Sequence, residues 1–237
     1  MTMKPFSIMW SEGITEEEAM QAVLTVQEIV TSAFQIERWK RVSPLMPEIR
    51  PFGTWVIPAV PRGAAYWGTQ WYIERSLDPK LKRVRGYDFL RLMQFEPWQL
   101  QAPHFDLALL DHELIGDPDD APETLTLGLT LPGTAAVVSV APLRTIRNRS
   151  QRLAALRRLI AHHLGHMVRV PRPDRTEGVD ISGSEPHCKA ICAMRHAENV
   201  FELLKFTREE TEAGVIYCAE CQHDLRVQLV SAQFSLN

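Results

Sequence analysis

The sequence predicts an α/β layered fold with a mixed, twisted sheet and packed helices. Three observations carry this. Apolar runs of strand length recur at 6–10 (FSIMW), 105–110 (FDLALL) and 135–140 (AAVVSV); longer segments between them place apolar residues at helical spacing; Pro and Gly mark the joins. At 237 residues, 45% of them apolar, the chain can bury a core without disulfides. We read one domain over 1–237, with an upper α/β part over 1–170 and a smaller C-terminal part over 171–237.

The elements follow in order. Phe6 to Trp10 suits a buried strand, and Thr15 with Glu18 makes a capping box for a helix running to about Ser32. Phe34 to Val42 reads as a second strand. Pro44, Pro47, Pro51, Pro58 and Pro61 then make the chain loop or edge up to Gly63. Ala64 to Leu77 reads as a helix whose Tyr66, Trp67, Trp71 and Tyr72 pack onto a sheet. Phe105 to Leu110 and Ala135 to Val140 are buried strands, whereas Leu125 to Leu131 (LTLGLTL) alternates strictly and so has one wet face. Ser150 to Met167 is an amphipathic helix with Leu153, Leu156, Ile160, Leu164 and Met167 as its apolar stripe. Beyond it, Pro171, Pro173, Gly178 and Gly183 break the chain into a long polar loop reaching Pro186.

The formal charge of −3 gives no global attraction to nucleic acid or anionic membrane. The run Arg144, Arg147, Arg149, Arg152, Arg157 and Arg158 reads as solvated loop and helix surface. The N-terminus has no apolar h-region, and no stretch of about 18 apolar residues occurs. The expectation is a soluble cytoplasmic protein with no membrane partner.

Chemistry concentrates in two places. His162 and His166 sit about 40° apart on one helix face, so both imidazoles can reach one metal ion. Every cysteine of the chain falls in a second group, Cys188 with Cys192 and Cys218 with Cys221, which suits a four-thiolate zinc site. The competing reading is four reduced thiols packed as small apolar groups.

With these motifs in hand, the chain resembles the archaemetzincins, zinc metallopeptidases of the metzincin clan, whose pattern is HExxHxxGxxHC, a further cysteine, a methionine two residues on, and a distant CxxC. The resemblance implies that His162, His166 and His187 hold a catalytic zinc. It further implies that Cys188, Cys192, Cys218 and Cys221 hold a structural zinc, two ions in all, and that Met194 lies in a tight turn beneath the catalytic ion. It also implies a metzincin-like fold in which Leu125 to Leu131 is the edge strand that aligns a peptide.

Three departures stand out. His163 occupies the place of the family's glutamate, the general base. Arg169 replaces the glycine at which the chain leaves the helix, and His187 follows His166 by 21 positions. The first cysteine pair is also one residue closer, which zinc tolerates. Losing an acid/base group typically costs about 10²–10⁴-fold. His163 itself, or Glu177 or Glu185 from the loop, would have to substitute, and Asp180 is an alternative third ligand. The leading expectation is a metallopeptidase homologue with impaired or altered peptide hydrolysis. The rival is an inactive zinc module that binds a peptide or protein. A third reading, a nucleic-acid-binding zinc ribbon, rests only on the arginines and is the weakest.

Overall fold

A computed structural model of the chain describes residues 4–36, 41–42, 46–55, 68–116, 125–182 and 185–234. Among them the order is β1 (Phe6–Trp10), α1 (Glu16–Phe34), β2 (Gln35–Ile36), β3 (Arg41–Val42), β4 (Ile49–Gly53), α2 (Thr69–Ser76), β5 (Val84–Arg85), α3 (Gly86–Gln94) and α4 (Pro97–Gln101). There follow β6 (Phe105–Leu110), β7 (Leu114–Ile115), β8 (Leu125–Thr126), β9 (Gly128–Leu131), β10 (Ala135–Ser139), α5 (Arg149–Met167), β11 (Val179–Ser182), β12 (Glu185–Cys188), α6 (Val200–Ala213) and α7 (Ala219–Phe234).

The main sheet runs β4-β1-β6-β10-β9, parallel except for the antiparallel edge strand β9. Period-two alternation sorts its side chains into two cores. Phe105, Leu107, Leu109, Ala136 and Val138 face α1 and α5, while Ala108, Leu110, Ala135 and Val137 face α2 and α3. Apolar residues on both faces are what a strand sandwiched between helix layers requires, and they account for FDLALL and AAVVSV.

α1 begins with the expected reciprocal cap: Glu18 N donates to Thr15 Oγ1 (3.3 Å) and Thr15 N to Glu18 Oε2 (2.9 Å). The helix runs two residues past Ser32, because Ala33 and Phe34 are buried in the core. Phe34 to Val42 is therefore not one strand. β2 and β3 within it pair antiparallel with each other. β4 carries Pro51 on the outer edge of the sheet, where a missing N–H is harmless. Of the helix expected over 64–77, the part from Thr69 is formed; Tyr66 and Trp67 lie outside the described residues. Tyr72 is fully buried against the sheet, and Trp71 is partly buried beside it.

Two further expectations need correction. Leu125 to Leu131 is not one strand, since β8 pairs in a small separate sheet with β7, and β9 continues in the main one. Nor is the polar face of β9 wet: Gly128 and Thr130 are buried beneath α5, and Leu129 and Leu131 are its half-exposed face. The stretch before Pro186 is also not all loop. β11 and β12 form an antiparallel hairpin that sets Asp180 opposite His187.

Four arginines of the basic run have acidic or buried partners: Arg144 with Glu18, Arg149 with Glu17, Arg157 with Glu28, and the buried Arg158 with Glu210. The run thus ties α5 to α1 and α6. A second polar cluster is buried where the chain enters β6. His104 Nε2 lies 3.1 Å from Asp106 Oδ1 and 3.9 Å from Glu96 Oε1, and the Trp98 ring stacks on His104. No helix among the described residues is long and apolar enough to cross a membrane.

Candidate metal centre

α5 is the spine of the site. Asn148 caps it by accepting from Gln151 N (3.0 Å), and its buried stripe seats it on the sheet. Its last turns carry His162, His163 and His166, all buried. It ends in a Schellman motif: Arg169 N donates to His166 O (2.9 Å) and Val170 N to Gly165 O (2.8 Å), with Arg169 at φ 64°. The left-handed residue that a glycine would supply most easily is here an arginine.

His187 arrives on β12, despite its distance in sequence. Its ring centre is 5.4 Å from that of His162 and 4.8 Å from that of His166, and the two helical rings are 4.6 Å apart. His162 Nδ1 donates to Ala193 O (2.8 Å), which fixes the tautomer and leaves Nε2 as an acceptor, the usual arrangement for a ligating histidine. His166 Nε2 and His187 Nδ1 are buried without a hydrogen-bond partner. Burial, and then the neighbouring imidazoles, push His162 and His166 well below the usual histidine range, and burial brings His187 to about 4. These buried neutral imidazoles, two of them with unsatisfied nitrogens, offer ligand atoms in two overlapping groups within 4.8 Å, His166 and His187 with Glu185, and His162 and His187 with His196, a donor set that fits a divalent cation.

Met194 packs beneath this cluster. A Cβ on Gly165 would overlap its sulfur, so the glycine is what lets the turn approach the helix. The turn is pinned by Cys188 N donating to Met194 O (2.9 Å), and Tyr217 Oη donates to Ala161 O (2.6 Å) beside it.

The four cysteines meet on the other side of the same turn. Their sulfurs lie within 4.8 Å of one another, and all are reduced. The Cys188 and Cys218 sulfurs are 3.7 Å apart, close to the roughly 3.8 Å edge of a tetrahedron with Zn–S bonds of about 2.3 Å. Cys218 N and Arg175 Nη2 donate to Cys192 Sγ (3.4 Å) and Cys221 Sγ (3.3 Å). The thiols share protons as one cluster, so that Cys188 and Cys218 are lowered while Cys192 and Cys221 are raised. These groups fit a closed four-thiolate ion.

The remaining predicted residues fall as follows. His163 turns from the cluster toward β9, sharing a 3.0 Å hydrogen bond between its Nδ1 and Thr130 Oγ1, and burial pushes it down to about 3. Glu177 and Asp180 are exposed; Asp180 lies 4.0 Å from Lys189 Nζ. Glu185 is the loop carboxylate that reaches the histidines, its Oε2 being 3.6 Å from His166 Nε2. One residue went unnoticed in the sequence: His196, exposed, whose ring is 4.7 Å from that of His187. No spacing rule points to it.

No protein-family model and no curated protein sequence matches the chain. Structure comparison does find relatives in fold. The crystal structure of archaemetzincin from Methanopyrus kandleri matches 97% of this chain and 96% of its own, with a TM-score of 0.59 at 15% identity. The chain has the fold of an archaemetzincin. That match spans both the helical layers around the main sheet and the segment that carries His187 and the cysteines.

Proposed function

We propose that the protein is an archaemetzincin-like zinc metallopeptidase homologue in which peptide hydrolysis is impaired. What supports this is the convergence of His162, His166 and His187 beneath an antiparallel edge strand on this fold. In this reading the three histidines hold a catalytic-type zinc and the four cysteines a structural one. Bound there with one coordination position open, zinc would supply Lewis acidity and a water of pKa about 7.

The chain's own residues supply the rest. β9 pairs with β10 through Leu129 and Leu131, so by antiparallel alternation the backbone groups of Thr130 point outward, toward a peptide ligand laid along the edge. His163 is a poor replacement for a carboxylate base. It is bound to Thr130, and its depressed pKa leaves it little appetite for a proton near neutral pH. The same observation favours a second reading, an inactive zinc module that binds a peptide or protein partner.

Metal analysis with a peptide-cleavage assay tests the proposal. Two zinc ions per chain and little or no chelator-sensitive cleavage are expected. A single ion would remove the histidine site, and brisk chelator-sensitive cleavage would show that a base is present after all.

A further inference from the structure

We infer that Glu185 is a fourth protein ligand, which closes the histidine site from the β11–β12 hairpin; this rests on the reading that the histidines hold a metal. The first observation is a distance. Glu185 Oε2 stands 3.6 Å from His166 Nε2, too far for a hydrogen bond, for which about 2.7–3.2 Å is usual. Two ligands about 2.1 Å from one tetrahedral ion stand roughly 3.4 Å apart. The pair is spaced as co-ligands.

The second is which nitrogen the carboxylate faces. A carboxylate that merely orients a ligating histidine takes the ring nitrogen remote from the metal. Glu185 faces Nε2 of His166, a buried nitrogen with no hydrogen-bond partner. The third is delivery. Glu185 and His187 are two apart on β12, so their side chains leave the strand on one face. Together with His166 they offer ligand atoms within 4.8 Å of one another. Among the described residues, no Lys or Arg pairs with Glu185.

His162 is the third imidazole: its ring centre lies 4.6 Å from that of His166 and 5.4 Å from that of His187, while its own ligand nitrogen groups with His187 and His196. Drawn onto the same ion, it would make the set three imidazoles and one carboxylate. Four protein ligands make the closed shell of a structural zinc, with no position left for water or a peptide carbonyl. The competing fourth ligand is His196, which reaches His162 and His187 but is exposed.

The test uses the full chain with zinc in the cysteine site and Co²⁺ in the histidine site, whose visible absorption reports coordination. Thiocyanate and acetohydroxamate are the probes of an open position. The wild-type spectrum should not move with either, whereas that of Glu185→Ala should shift, and its Co²⁺ affinity, measured against a competing chelator, should fall at least about tenfold. Glu185→Gln, which keeps the size of the side chain, should behave like Glu185→Ala; unchanged zinc in the cysteine site certifies the fold of each. A wild-type spectrum that moves as far as the variant's, or an opening produced by His196→Ala instead, overturns the inference and leaves the histidine metal site standing. A wild type that takes up no second ion overturns both.

Discussion

His163 Nδ1 and Thr130 Oγ1 share a 3.0 Å hydrogen bond, so the side chain in the general-base position ties α5 to the edge strand β9. If Glu185 also closes the histidine site, as inferred above, base and coordination shell are altered together. Neither change alone should restore chemistry: His163→Glu returns a carboxylate, but Glu185 still faces the histidines. We expect chelator-sensitive peptide cleavage in the double variant His163→Glu, Glu185→Ala, about 10²-fold or more above Glu185→Ala alone. Equal rates in the two would show that a carboxylate at 163 cannot reach the reacting water.

Arg169 carries the φ of 64° that ends α5. A non-glycine residue in this conformation costs about 1–2 kcal/mol, against which the greater freedom of glycine in the unfolded chain returns about 0.4–1. Arg169→Gly should therefore raise stability by about 0.5–1 kcal/mol, and Arg169→Val should lower it by about 1 kcal/mol or more. Denaturant midpoints of the three proteins decide it; a valine variant as stable as wild type would remove the strain from the account.

Cys218 shares its sulfur neighbourhood with Cys188, Cys192 and Cys221, and α7 begins directly after it. Cys218→Ser should lose tightly held zinc and, with it, the protease resistance of the C-terminal helices, because metal affinity in such sites appears as folding energy. Unchanged zinc content in a folded variant would sink the four-thiolate site.

Burial raises the Glu96 carboxyl to about 7, within reach of His104 and Asp106, which are also raised. The sign follows from the native state binding more protons than the unfolded one. The contribution is full below the ordinary glutamate value of 4.5 and is lost as pH rises through about 7. Glu96→Gln should flatten that decline by about 2–3 kcal/mol, measured as the difference in unfolding free energy between pH 4.5 and 8. Parallel profiles for the two proteins would place the titration elsewhere.

What could be read from the sequence was local. The Thr15–Glu18 cap, the paired histidines one turn apart and the two cysteine pairs depend on neighbours within a few residues, and each stands where its spacing put it. The hairpin escaped because Pro186 within β12 argues against a strand, and VDIS and EPHC carry little apolar signal. The position of Glu185 is a product of that cross-strand register, and nothing in its own neighbourhood announces it. Other omissions had usable signals. Asn199 with Glu202 marks the start of α6 and left-handed Gly214 its end; Glu96 followed by Pro97 opens α4; Phe89, Leu90 and Met93 give α3 its buried face. The dry polar face of β9 was illegible for another reason, since only the fold reveals that α5 covers Gly128 and Thr130.

Adjacent residues of β12 belong to different clusters: His187 leaves one face of the strand toward the imidazoles, and Cys188 leaves the other toward the sulfurs. A two-residue strut therefore joins the pair of sites, and whatever stiffens one end preorganises the other. Metallation should be ordered, with the cysteine cluster filling first and setting His187 in register for the second ion. By the reciprocity of linked equilibria, an ion on the imidazoles would in turn tighten the equilibrium binding of one on the thiolates by the same factor. The protein would then gain and lose its metals as a sequence of states, and partial depletion would yield a cysteine-loaded intermediate in preference to a mixture of singly loaded forms.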